Sequence, residues 1–501
     1  MVRVPPYPAR DYVSDSPVPG AAGETEFMLK PIVADDAVAA NAEWTPSVRW
    51  ALAGLSLSML LSSLGTSIAN VGLPTLAQAF GASFQDVQWI VLAYLLAITT
   101  LIVSVGRLGD ITGRRRLLLA GILLFTVASV LCGVAPTLGL LIAARAAQGF
   151  AAAIMMALAM AFVGETVSRA ETGSAMGLLA TMSAIGTALG PSLGGVLIAG
   201  PGWRAIFLVN VPLGILTIVL AYRTLPADRR KPKTDRGFDT IGTLLLALTL
   251  GAYALAMTIG GGRFGSLNIA LLLTAVFGVG LFVLAESLAA SPLIALAMFR
   301  DGVLSASLAT SALVSTVMMA TLVVGPFYLS AGLGLDAAVV GVVVSAGPIV
   351  AALTGVPSGR IADRFGAQRM TVVGLAAMAA GAFILSMLPA TLGIPGYVAP
   401  LAVITAGYAL FQTANNTAVM TDIGPDQRGV VSGMLNLSRN LGLITGASAM
   451  GAVFAFASAA TDIATARPEA VASGMRITFA VAGVLIVAAL AIALATGRRA
   501  R

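Results

Sequence analysis

Few side chains in this chain could do chemistry, and their types and spacing exclude most reactions. There is no histidine, and Cys132 is the single cysteine. Serine–histidine hydrolysis, a His-Glu-x-x-His zinc site and histidine haem ligation are thereby ruled out, as is a disulfide framework. Cys132, between Leu131 and Gly133-Val134, reads as a small packed hydrophobe. The three lysines, Lys30, Lys231 and Lys233, follow Leu29, Arg230 and Pro232, so the chain has no Gly-Lys-Ser/Thr phosphate loop. The glycine-rich run from Gly260 to Gly265 falls between two apolar stretches and reads as a turn. Asp86, Glu165, Asp239, Glu286, Asp336 and Asp422 all lie near the ends of apolar stretches, which leaves no buried carboxylate pair for an aspartyl mechanism. No enzyme, cofactor or metal site is expected. What remains is Arg145, followed by Gln148 and Gly149 and flanked by Ala143, Ala144, Ala146 and Ala147. A charge in such a run either faces a wet cavity or a partner, which makes it a functional candidate, or snorkels to an interface.

The elements that must position these residues are membrane spans. Hydrophobic residues make up 58% of the 501-residue chain and charged residues 10%, too little polar surface for a water-soluble protein. Apolar runs long enough to cross a bilayer fall near 50–72, 87–106, 117–135, 138–162, 176–198, 204–222, 240–260, 268–286, 303–329, 338–357, 370–388, 397–419, 430–457 and 477–496. They predict an all-α polytopic membrane protein with 14 transmembrane helices. Alternate loops differ in charge. One set, with the tails, holds 23 lysines and arginines, including Arg114-Arg115-Arg116, the Arg223–Arg236 loop, Arg498, Arg499 and Arg501. The other holds only Arg204, Arg263, Arg467 and Arg476. The positive-inside rule therefore places both termini in the cytoplasm. The net charge of +7 is accounted for by these loops, so no nucleic-acid partner is expected. Residues 1–48, rich in proline and acids, read as a disordered tail without a signal peptide.

An internal repeat links two cytoplasmic breaks. Gly106-Arg107-Leu108-Gly109-Asp110-Ile111-Thr112-Gly113, after the second span, matches Gly359-Arg360-Ile361-Ala362-Asp363-Arg364-Phe365-Gly366, after the tenth, in its Gly, Asp and Gly positions. Two related halves are a common way to build a site that opens alternately to either side. The expected layout is a six-helix half over 49–222, a basic loop over 223–238, two extra helices over 239–287, a second six-helix half over 288–497, and a basic end at 498–501. Read on spacing alone, Gly186, Gly190 and Gly194 share one helix face where a neighbouring backbone can approach, and Pro191 permits a bend.

From about Trp50 onward these residues resemble the major facilitator superfamily, and within it the fourteen-span drug:proton antiporters of the EmrB/QacA type. The run Gly106 to Arg115 resembles the superfamily's signature after the second span. The resemblance implies a cytoplasmic gate of Gly106, Arg107, Asp110, Gly113 and Arg114, with Gly359, Asp363 and Gly366 repeating it. Gly186-Thr187-Ala188-Leu189-Gly190-Pro191-Ser192-Leu193-Gly194-Gly195 is similar to the motif associated with antiport, and Arg145 with Gln148 resembles the fourth-span arginine implicated in proton transfer. Further matches are Asn70 to Pro74, Gln88-Trp89 with Tyr94, Trp203 to Pro212, and Arg439 with Gly442. One departure stands out: many members carry an Asp in the first span, where this chain has Gly65.

These observations together predict an inner-membrane exporter of amphipathic small molecules, drugs or a toxic metabolite, working by alternating access in exchange for protons. A buried carboxylate is the simplest device for binding a cation or proton, and none is in evidence. Hydroxyls and amides line the candidate cavity instead: Thr66 and Asn70 in the first span, Gln412, Asn415 and Asn416 in the twelfth, with Trp89, Tyr94 and Arg439 as further candidates. With Arg145 they suit an uncharged or anionic compound, although each hydroxyl can equally bond back to its own helix. The partners expected are that compound, protons and the bilayer; a periplasmic adaptor is left open. The alternatives are an importer or a ligand sensor on the same fold.

Overall fold

The computed structural model describes residues 45–167, 172–228, 239–259, 265–289, 296–421, 428–458 and 466–499. Fourteen helices in these segments are long and apolar enough to span a bilayer. The first six are α1 (Pro46–Phe80), α2 (Phe84–Thr112), α3 (Arg114–Val134), α4 (Leu138–Thr166), α5 (Thr172–Ala199) and α6 (Ala205–Thr224). Then come α7 (Thr240–Thr258) and α8 (Ser266–Leu288). The last six are α9 (Gly302–Gly332), α10 (Ala337–Phe365), α11 (Ala367–Met387), α12 (Gly393–Thr421), α13 and α14 (Pro468–Arg499). The α13 helix runs over Arg428–Thr445 and continues through a π-turn at Gly446–Met450 into Gly451–Ala457. The expected tail up to residue 44 and most of the basic loop lie outside the described residues.

The acidic residues at span ends have a local role. Asp86 forms a capping box with Ser83 at the start of α2, and Asp239, Asp301 and Asp336 each accept backbone N–H bonds at the first turns of α7, α9 and α10. Each satisfies a donor that the helix leaves without a partner, worth about 1 kcal/mol.

Packing repeats between the first six and last six spans. α1 lies on α5, α2 on α4 and α3 on α6; correspondingly α9 lies on α13, α10 on α12 and α11 on α14. In lipid, helix association depends on close van der Waals contact, which small residues permit. In the first half Gly186, Gly190 and Gly194 bring α5 onto α1, and Ser67 Oγ donates to the Gly186 carbonyl at 3.2 Å. In the second half Ser438, Gly442 and Gly446 bring α13 onto α9 at the same spacing, with Ser438 Oγ donating to the Leu308 carbonyl at 2.5 Å. A Cβ on Gly186 would meet the Leu60 carbonyl, and one on Gly442 the Ala312 carbonyl.

Between these sets, α7 and α8 form a hairpin, and α7 lies against α2 and the far end of α13. Trp89 Nε1 donates to Thr258 Oγ1 at 3.1 Å, and the hydroxyls of Ser104 and Thr243 are 2.9 Å apart, so α2 is tied to α7 at two levels.

The structure corrects the reading of the repeated motif as a loop. α2 runs on through Thr112 and α10 through Phe365, so the residues from Gly106 and from Gly359 are the last two turns of helices. The turns themselves are single glycines, Gly113 at φ 98° and Gly366 at φ 89°, a region that favours glycine. Beyond each turn the next helix is tied to the last helix of its half. Arg115 donates to the Tyr222 carbonyl at the end of α6, and Gln368 Nε2 donates to the Ala493 carbonyl of α14 at 2.9 Å. In the first half Asp228 also accepts the backbone N–H groups of Arg115, at 2.8 Å, and Arg116, at 3.2 Å, serving as a cap delivered from across the bundle. Replacing Asp228 with Ala should therefore destabilise the first half by about 1 kcal/mol. The expected result is a small drop in the thermal unfolding midpoint of the purified protein; an unchanged midpoint would remove Asp228 as the cap.

Candidate functional site

Arg145 occupies the second turn of α4 and has no exposed surface. Gly149, one turn on, allows α4 to approach α2 so closely that a Cβ there would come within 2.9 Å of the Tyr94 Cα. That approach brings the Tyr94 ring under the guanidinium, with 4.2 Å from Cζ to the ring centroid, while Phe207 of α6 lies 5.9 Å away on another side. Arg145 Nε donates to the Ile90 carbonyl at 2.9 Å, and one terminal nitrogen donates to Gln148 Oε1 at 2.5 Å. Gln148 Nε2 in turn donates to Ser129 Oγ of α3 at 2.8 Å, and Tyr94 Oη donates to the Ser62 carbonyl of α1 at 2.7 Å. Five helices thus converge on one cation.

The charge is held without a carboxylate among these contacts. Hydrogen bonds from a charged donor contribute about 1.5–3 kcal/mol each, and a desolvated cation–π contact about 2 kcal/mol. These offset a desolvation cost that would otherwise be several kcal/mol. One guanidinium nitrogen, Nη2, is buried and makes no hydrogen bond. Gly65 of α1 adjoins this nest, since a Cβ there would stand 3.1 Å from both Tyr94 Oη and a Phe125 ring carbon. A side chain at position 65 would therefore be directed at the ring beneath Arg145.

The remaining candidates are not gathered into one constellation. Thr66 Oγ1 donates back to the Ser62 carbonyl at 3.1 Å, and the buried Asn70 donates to the Thr66 carbonyl at 3.1 Å with its Oδ1 unpartnered. Trp89 is engaged with the extra hairpin and Tyr94 with Arg145. In α12, Gln412 is half-buried, Asn415 buried and Asn416 exposed. Arg439 of α13 is half-buried. The side chains of Arg107, Asp110 and Asp363 lie outside the described residues, so of the expected gate only the helix ends are described.

Sequence reasoning missed the contacts that join the halves. They gather at the end where α1 stops and α2 begins, the arginine-poor end. There Phe84 of α2 meets Phe327 of α9 edge-on at 4.6 Å and Phe454 of α13 at 5.4 Å. Gln88 Nε2 donates to the Ala447 carbonyl at 2.8 Å, inside the π-turn of α13, and its amide lies against Gly451. Gly195 of α5 meets Gly341 of α10 so closely that a Cβ on Gly341 would be 2.6 Å from the Pro191 carbonyl. The antiport-type motif therefore has two working faces: Gly186, Gly190 and Gly194 towards α1, and Pro191 with Gly195 towards the other half. Towards the opposite end of α10, a Cβ on Gly355 would meet nothing within 4 Å, and one on Gly359 only Thr413 at 3.9 Å.

Two packed sets of six spanning helices, in contact with each other through α5 and α10 and through Phe84 and Gln88 of α2, define a membrane carrier of the two-repeat kind. The chain belongs to the Major Facilitator Superfamily, whose sequence profile matches residues 55–447. It is 32% identical over 400 residues to the "Uncharacterized transporter YebQ" of Escherichia coli, covering 79% of this chain and 87% of that one. It is also 32% identical over 416 residues to the "Multidrug resistance protein Stp" of Mycobacterium tuberculosis, covering 80% of this chain and 74% of that one. Among solved structures, a bacterial homologue of the human lysosomal transporter Spinster, crystallised in an inward-facing and occupied conformation, shares the fold. Its TM-score is 0.68 at 15% identity, over 91% of this chain and 98% of that one.

Tyr94 separates two contributions to the nest. Tyr94→Phe keeps the ring under Arg145 and loses one neutral hydrogen bond, about 1 kcal/mol, so transport should stay within about threefold of wild type. Tyr94→Leu and Arg145→Lys, which lose the ring and the guanidinium fork respectively, should lose most transport. Equal transport by the Phe and Leu variants, measured as dye efflux at matched expression, would remove the cation–π contact from the account.

Proposed function

We propose that this chain exports amphipathic small molecules, drugs or a toxic metabolite, by alternating access and in exchange for protons. The observation that carries the reading is that the close side-chain contacts described between the halves lie at the arginine-poor end. The positive-inside rule assigns the arginine-rich end, and both termini, to the cytoplasm of a bacterial inner membrane. The space between the halves then opens to the cytoplasm, the side from which an exporter loads, while Phe84, Gln88 and the Gly195–Gly341 contact seal the outside. The name of the relative Stp supports the substrate class through kinship.

Alternation requires this outer seam to part and an inner one to form. We assign the inner seam to the helix ends bearing Asp110 and Asp363, which lie at equivalent places in the two halves. Arg145 and Gln148 are assigned to coupling rather than to substrate contact, because neither has surface facing the space between the halves. Both are fixed to α1, α2 and α3 through Ser62, Ile90, Tyr94 and Ser129, so they can respond to a shift of any of these helices.

Extrusion of a neutral, a cationic and an anionic fluorescent compound from efflux-deficient bacteria, each with and without a protonophore, tests the whole reading. Uncoupler-sensitive extrusion of at least one compound is expected. Extrusion indifferent to the protonophore would remove proton exchange, and accumulation in place of extrusion would reverse the direction. Within the same assay Gly195→Leu, which wedges the outer seam, should lower extrusion by about tenfold or more. Asp110→Asn should slow it while leaving expression intact. Wild-type rates in either variant would remove that seam from the cycle.

A further inference from the structure

With Arg145 enclosed, Arg439 is a second arginine set within a described spanning helix, and it keeps exposed surface. This residue lies in the second turn of the spanning part of α13, which begins at Met434, and is half-buried. Asn436, Arg439, Asn440 and Leu443 follow the i, i+3, i+4, i+7 spacing of one helix face, and all four are partly exposed. The other sides of α13 are occupied. Ser438, Gly442 and Gly446 face α9; the Ala447 carbonyl and Gly451 meet Gln88 of α2; and α7 lies against Gly446–Met450. The polar face falls between α9 and α2, on the side away from the extra hairpin, and so looks into the space between the halves.

Arg439 makes no hydrogen bond, ion pair or ring contact among the described residues. The described carboxylates of the neighbouring spans, Asp86, Asp239, Asp301 and Asp336, cap helix ends. Arg439 is thus a guanidinium with five donors and no acceptor among the described residues. An intramembrane charge left open to a wet cavity is a binding point for an opposite charge, and guanidinium matches planar oxyanions with two parallel hydrogen bonds.

We propose that Arg439, with the Asn440 amide beside it, holds the acidic group, a carboxylate or sulfonate, of an amphipathic organic anion, making anions the preferred cargo of this transporter. The inference rests on the proposed exporter reading for its setting, but binding can be read separately from flux. The test uses the full chain in lipid nanodiscs and fluorescence polarisation of a carboxylated dye, a sulfonated dye and an uncharged dye, alongside efflux of the same three from cells. Wild type should bind one or both anionic dyes more tightly than the neutral one, and the carboxylated and sulfonated arms identify which oxyanion fits. Arg439→Gln should reduce the ratio of anionic to neutral affinity at least tenfold, with Arg439→Lys between. Asn440→Asp, which supplies a competing carboxylate beside the intact arginine, should reduce the same ratio and serves where the Gln variant fails to fold. An unchanged ratio in Arg439→Gln or Asn440→Asp, or an equal loss of all three dyes, would overturn the proposal. Anion binding by a wild type that moves no dye would sink the exporter reading and leave this site standing. Efflux of the neutral dye with no anion binding would do the reverse.

Discussion

The structure turns on how closely α5 can approach other helices. Lipid tails are as apolar as leucine, so burying leucine against leucine gives two spans little reason to stay together. What holds them is contact area, and the glycines of α5 provide it on two faces. One face fixes α5 to α1 and makes the first half a unit. The other, at Pro191 and Gly195, touches Gly341 of the second half. α5 is thus packed on two sides, against α1 of its own half and against α10 of the other. The kink that Pro191 permits lies where the two faces meet, where a difference in direction between inner and outer segments has to be absorbed.

The same logic explains how Arg145 can be buried without a counter-charge. A carboxylate would lower the cost of the cation, but it would also create a pair whose loss or protonation is expensive. Here the work is divided among an aromatic face and a carbonyl, both from α2, and an amide from α4 itself. Gly149 is what makes the division geometrically possible, because without it Tyr94 could not lie beneath the guanidinium. Gly65 completes the picture. A side chain at this position would point at Tyr94 and enter the nest from α1. In this chain α1 contributes the Ser62 carbonyl instead.

The fourteen spans were legible in the sequence because length and apolarity suffice to define them, and the repeat was legible at Gly113 and Gly366 because positive φ leaves glycine little competition. The continuation of α2 and α10 through the repeated motif was not, since polar residues leaving the bilayer look like loop by composition while remaining helical. The direction of Arg145 was also hidden: with alanine on every side, α4 has no polar stripe to say which face is which. α13 is the opposite case. Its polar residues fall at one helical spacing and its small residues at another, but Ser438 in place of a glycine obscured the match to the α5 stripe. Gln88 and Phe84 were missed for a different reason, because contacts between residues hundreds of positions apart leave no periodic trace.

The two halves share a frame and differ in what they do with the arginine set within a span, Arg145 in the first and Arg439 in the second. In the first half the guanidinium is enclosed by five helices and has no exposed surface. In the second half the arginine stands on a helix whose other sides are occupied, and it faces the space that opens and closes. The α7–α8 hairpin contributes to that difference, since α7 covers the flank of α13 and α2 that would otherwise meet lipid, leaving the polar face of α13 directed inward. An arginine exposed to hydrocarbon there would be expensive; directed at a water-filled space, it costs little until that space dries. Closure around an uncompensated Arg439 would strip water from the charge, whereas closure around a bound anion would not. The cation that the first half seals permanently is thus, in the second half, one whose burial depends on what is bound.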